Sequence, residues 1–148
     1  SGAGISKRAP GPMNPYFEQM ILSASPIELV RLLYQQAIAS VTDAREHLRE
    51  GRIRERGISI RKAHAILAEL MVSLNPEYAP EIAENLRKLY CYMQERLLEA
   101  HMRQIDAPLE ETGRLLSTLA DGWREEESPA STVFASPMPP LAANAIAS

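Results

Sequence analysis

The chain has 148 residues, 45% of them hydrophobic and 24% charged, with a formal net charge of −3 and one cysteine. That is enough for one domain with a sizeable core plus tails, and 5% aromatic residues argue against a β-sandwich. The lone Cys91 excludes an internal disulfide staple, no apolar run reaches the roughly 18 residues of a membrane helix, no secretory h-region opens the chain, and near-neutral charge offers nucleic acid no general handle, so a soluble protein of a reducing cytoplasm is expected.

Eleven prolines divide the chain. Pro10, Pro12 and Pro15 lie in a Gly/Ala/Ser-rich opening; residues 1–12 read as a tag or flexible extension, with Met13 as the expected native start. Residues 13–24 form a short N-terminal cap segment carrying Tyr16, Phe17, Met20, Ile21 and Leu22. The first helix opens on Ser25-Pro26-Ile27-Glu28, a capping box with Pro at the first helical position. Val30, Tyr34, Ala37, Val41, Ala44 and Leu48 then recur four and three apart until Gly51 stops the helix. A second helix starts within residues 52–59, weakened by Gly57, and carries Ile60, Ala63, Leu67, Leu70 and Leu74 ahead of Asn75-Pro76. The third begins near Pro80 and turns Ile82, Leu86, Leu89, Tyr90, Met93, Leu97 and Ala100 inward. The fourth takes Asp106 as its cap and Pro108 in its first turn, followed by Leu109, Thr112, Leu116, Leu119 and Trp123. Helices of about 20 to 25 residues joined by short links bury such stripes together only when they run antiparallel. The prediction is an all-α, up-down-up-down four-helix bundle over residues 25–125. Residues 126–148 read as a Pro/Ala/Ser-rich tail, disordered or docked only through its few apolar residues.

Familiar bundle chemistries find little support. A di-iron site needs Glu three residues before an inward His, whereas Ala44, Arg61 and Leu98 stand three before His47, His64 and His101. Histidine phosphotransfer would fall to His64, yet Ala65, Ile66 and Leu67 leave no basic group on the next turn for a phosphate. Cys91 sits between two tyrosines with no acidic or basic neighbour to activate it. No metal, cofactor or catalytic group is expected. Charge is uneven: residues 51–75 hold five Lys/Arg against two Asp/Glu, either a solvated helix face or a basic strip for an acidic partner. Apolar residues also exceed the core stripes at Leu29, Leu32, Leu33, Ile58, Ile66, Tyr92 and Met102. They fit either a broader core or grooves for the amphipathic segments of a partner. A self-associating bundle would bury the same surplus against its own copy.

Several stretches resemble the bacterial flagellar secretion chaperone family, FliS. These are Ser23-Ala24-Ser25-Pro26-Ile27-Glu28-Leu29, Leu33-Tyr34-Gln35-Gln36-Ala37-Ile38, Arg61-Lys62-Ala63 with Glu69-Leu70, and above all Ile82-Ala83-Glu84-Asn85-Leu86 running into Leu89-Tyr90-Cys91-Tyr92-Met93 and Arg96-Leu97-Leu98-Glu99-Ala100. The likeness covers roughly residues 13–125. Four positions depart from the family pattern: Gln35-Gln36 replace an Asp-Gly pair, Cys91 an Asp, and His101 an Asn.

The resemblance implies a non-enzymatic cytosolic export chaperone. Such a protein binds the disordered C-terminal region of flagellin, prevents early polymerisation, and presents flagellin to the cytoplasmic domain of the type III export gate. An anti-sigma factor or co-chaperone is a further candidate partner, as is a second copy of the chain, a homodimer formed without flagellin. By the same resemblance Tyr16, and more loosely Ile21 and Leu22, form a cover that flagellin displaces or an export-gate contact. Leu29, Leu33, Ile66 and Tyr92, apolar and off the core stripe, are the predicted flagellin-binding residues.

Overall fold

The computed structural model describes residues 25–123 and 133–134 of the chain. Four helices follow one another through short links: α1 (Pro26–Arg49), α2 (Ile53–Val72), α3 (Pro80–Arg103) and α4 (Ala107–Gly122). The capping box of α1 is formed in both directions. Glu28 donates its backbone N–H to the Ser25 hydroxyl at 3.3 Å, and its carboxylate accepts the Ser25 N–H at 3.0 Å. After the C-cap Glu50, Gly51 turns the chain at φ +74°, a conformation that costs glycine little.

The start of α2, which periodicity left open over eight residues, falls at Ile53. Gly57 stands inside the helix for a tertiary reason. A Cβ there would lie 3.2 Å from the His101 imidazole, so the missing side chain makes room for the ring of α3. Asp106 does occupy the N-cap position of α4 but makes no capping bond. Its carboxylate instead accepts two hydrogen bonds from Arg45, both 2.8 Å long, which tie the start of α4 to the second half of α1. With 16 residues α4 is shorter than the predicted 20 to 25, because the chain leaves the helix at Trp123, whose indole is seated beside Tyr34.

Each helix packs on two neighbours in a ring: α1 on α2 and α4, α3 on α2 and α4. Side-chain contacts run in opposite directions along α2–α3 and along α1–α4. Gly57 meets His101 while Met71 meets Cys91, and Arg31 reaches Trp123 while Arg45 reaches Asp106. The bundle is therefore up-down-up-down, with α1 and α3 on the diagonal. A 2.6 Å hydrogen bond between the Tyr34 and Tyr90 hydroxyls spans that diagonal inside the core.

The predicted stripes supply the core. Tyr34, Ala37, Ala44, Ala63, Leu67, Leu70, Tyr90, Met93, Leu97, Ala100, Leu109 and Leu116 are fully buried. Small residues at 37, 44, 63 and 100 let the backbones approach, and each fully buried large aliphatic side chain contributes about 1.5–3 kcal/mol. Leu48, Leu74, Ile82, Leu89 and Leu119 lie at the margins, half-buried against this core. Of the 126–148 segment, Val133 and Phe134 are described, and both are buried in the same cluster. None of the described helices is long and apolar enough to cross a membrane.

Candidate functional site

At about 100° per residue each helix has an inward stripe and two flanks. On α1, Arg31 donates to the Trp123 carbonyl and Arg45 to Asp106, so the flank with Arg31, Ile38 and Arg45 faces α4. The other flank of α1, with Leu29, Leu33 and Ser40, faces α2. On α2, Gly57, His64 and Met71 meet His101, Gln94 and Cys91, so this flank faces α3. The opposite flank of α2, with Ser59 and Ile66, faces α1.

This geometry sorts the residues predicted to bind flagellin. Leu29, Leu33 and Ile66 share the α1–α2 seam and are half-buried, with Leu33 and Ile66 packed against the core. Tyr92 is elsewhere. It is 41% exposed on the α3–α4 seam, where its hydroxyl donates to Glu111 at 2.8 Å. Bonding to that carboxylate raises the phenol above its ordinary pKa. Three of the four residues are thus brought together and the fourth lies on another side of the bundle. Tyr16, Ile21 and Leu22 lie outside the described residues.

The most exposed apolar surface borders the α2–α3 seam. Ile58 and Val72 on α2, and Leu98 and Met102 on α3, flank it from outside, with Val72 and Met102 more than three-quarters exposed. Ile58, Ala65 and Val72 recur every seven residues, so the strip runs about 21 Å along α2 at 1.5 Å per residue. Arg54, Arg61 and Lys62 are exposed beside it. Ile58 and Met102 were legible in the sequence as surplus apolar residues. Leu98 and Val72 were missed, although one signal was present: two adjacent leucines on a helix cannot both face the core.

Inside the same seam lies a buried cation. Arg56 is 3% exposed and donates Nε to His101 Nδ1 at 3.1 Å and Nη2 to the His101 carbonyl at 3.3 Å. Burial first, then the charges of Arg56 and Arg61, hold His101 below its ordinary pKa of 6.5. The ring therefore accepts at Nδ1 in its neutral form. The unfolded chain binds that proton more readily than the folded one, so the contribution is present above pH 6.5 and is lost as pH falls below it. Stability should decline between pH 7.5 and 5.5, and His101→Asn, which keeps an acceptor without the titration, should flatten that decline in urea midpoints. Glu84, Glu99 and Glu111 are held below 4.5 by their hydrogen-bonded partners, so their losses come at lower pH.

The remaining candidate groups are tied into seams. His47 Nδ1 accepts from Arg52 at 3.0 Å, and half-buried His64 offers its carbonyl to Gln94. Cys91 Sγ lies 3.7 Å from Met71 Sδ, and Arg87 Nη1, one turn back on α3, reaches it at 4.0 Å, a basic neighbour that the flanking tyrosines did not reveal. On the α1–α4 side, Arg31, Gln35, Ile38, Ser117, Ala120 and Asp121 line an open recess of about 320 Å³. On the α3–α4 side, Arg96 bridges Glu111 and Glu99, each at 2.7 Å.

Fold and flanks together define an antiparallel four-helix bundle with apolar side chains turned outward along its seams. Comparison with known proteins agrees with this class and narrows it. The family model described as flagellar protein FliS matches residues 9–129. The flagellar secretion chaperone FliS of Salmonella typhimurium is 37% identical over 109 residues, 73% of this chain and 81% of the relative. Its Escherichia coli counterpart is 34% identical over 73% of this chain and 80% of its own length. The flagellar secretion chaperone FliSB of Pseudomonas aeruginosa is 36% identical over 72% and 84%. The chain belongs to the FliS family of flagellar secretion chaperones.

Proposed function

We propose that this protein is a non-enzymatic cytosolic chaperone that binds the C-terminal region of flagellin, holds it back from polymerising and hands it to the cytoplasmic domain of the export gate. The observation that carries the reading is the apolar strip of Ile58, Val72, Leu98 and Met102 outside the α2–α3 seam. A segment that is helical only when packed can lay its apolar face on such a strip and order itself there. Leu29, Leu33 and Ile66 extend the binding surface around α2 to its other seam, so a bound segment wraps the bundle. Tyr16, Ile21 and Leu22 cover part of that surface until flagellin displaces them.

Calorimetric titration with a flagellin C-terminal peptide tests the reading. Leu98→Glu should weaken binding at least tenfold while the melting temperature moves by no more than a few degrees, because Leu98 is 46% exposed. Unchanged affinity would remove the α2–α3 strip from the binding surface, and no binding by the unaltered chain would remove flagellin. Deletion of residues 1–22 should leave affinity intact or improve it.

A further inference from the structure

Two residues outside the four helices complete one end of the bundle. Val133 and Phe134 lie in a 3₁₀ turn and are 0% and 2% exposed. The Phe134 ring meets the Trp123 indole edge-on at 4.8 Å, and Trp123 lies 6.1 Å from Tyr34. The Val133 carbonyl accepts the backbone N–H of Asn75 at 2.8 Å, so the contact also reaches the link between α2 and α3. We propose that this bundle end is a peptide-docking pocket for an aliphatic–aromatic pair, occupied in cis by Val133–Phe134 of the chain's own C-terminal segment.

The contacts have the form of ligand recognition. One aromatic ring packs on Trp123, one aliphatic side chain is enclosed, and one main-chain hydrogen bond sets the register, as in peptide docking generally. The occupant is joined to Trp123 through residues 124–132 and, among the described residues, holds on through two side chains and one main-chain hydrogen bond, whereas each helix contributes a whole stripe. Elements with few buried contacts open locally at free energies below that of global unfolding. The pocket therefore exchanges its occupant while the bundle stays folded. The matching ligand is uncharged as well as aromatic, since no charged residue occurs from Ser128 to the end of the chain. This pocket is independent of the flagellin reading, and its test uses no flagellin.

Trp123 is the only tryptophan, so its emission reports on the pocket alone. In the full-length chain, Phe134→Ser should shift that emission to longer wavelength and speed hydrogen exchange at the Asn75 amide, while helix amides of α1 and α3 stay protected. A synthetic peptide of residues 128–138 should restore the original emission of this variant. The unaltered chain should need at least tenfold more peptide, because its own segment competes at a millimolar effective concentration. Val133→Ala, a milder trim, should give the same order of effects at smaller amplitude. The proposal is overturned if neither variant changes Trp123 emission or Asn75 exchange, if the peptide fails to restore Phe134→Ser, or if it binds the unaltered chain equally well. Dependence of the unaltered chain's emission on protein concentration would likewise overturn occupation in cis, since it would assign the occupant to a second copy.

Discussion

Leu97→Ala should destabilise the bundle by about 2–5 kcal/mol, whereas Leu98→Ala one residue later should stay within about 0.5 kcal/mol. Leu97 is completely buried between the other helices, so its truncation loses transfer free energy and leaves a cavity that rigid helices close only in part. Rotation by about 100° puts Leu98 on the outer flank, 46% exposed. At this chain length each kcal/mol moves the melting temperature by about 2–4 °C, so thermal unfolding still separates the two variants. Comparable losses in both would mean that Leu98 is core and that the α2–α3 strip is misplaced. The same distinction makes Leu33 a poor probe of binding. It packs against the core, and a charge there would lower stability together with affinity.

The second large effect belongs to the tyrosine pair. Tyr90→Phe should cost about 1–3 kcal/mol, because the Tyr34 hydroxyl would remain buried without its diagonal partner. Burial pushes the Tyr34 phenol up to about 12, and Tyr90 is raised as well, chiefly by burial. Both hydroxyls are thus neutral at and well above pH 7, and the bond between them needs no charge. Removing both should cost less than the sum of the single changes, since no buried polar atom of the pair is then stranded. Urea unfolding of the two single variants and the double variant measures this coupling. Strict additivity would mean that the 2.6 Å contact contributes nothing specific.

Much of the fold is legible in the amino-acid sequence. The Ser25–Glu28 capping box, Gly51 and the prolines at 26, 80 and 108 mark helix ends by local chemistry, because proline suits a first turn and glycine a positive φ. The alternating stripes name the core, since 3.6 residues per turn brings positions three and four apart onto one face. The start of α2 was less legible. Gly57 lowers helix propensity there, and its reason for being in the helix, the His101 ring of α3, is 44 positions away.

The candidate surface was legible only in part. Composition and period reveal that apolar residues exceed the core stripes, and that surplus follows from the sequence alone. Which seam each surplus residue joins depends on which helices are neighbours and on the rotation of each about its axis. Only tertiary packing sets Tyr92 beside Glu111, apart from Leu29, Leu33 and Ile66, and leaves Leu98 and Val72 uncovered. The docking of Val133–Phe134 on Trp123 and Asn75 has the same origin, because a two-residue contact carries no period to read. Sequence by itself determined a four-helix bundle with more apolar surface than its core consumes, through short-range periodicity and capping. Tertiary structure decided where that surface lies, because neighbours distant in sequence choose which flanks are covered.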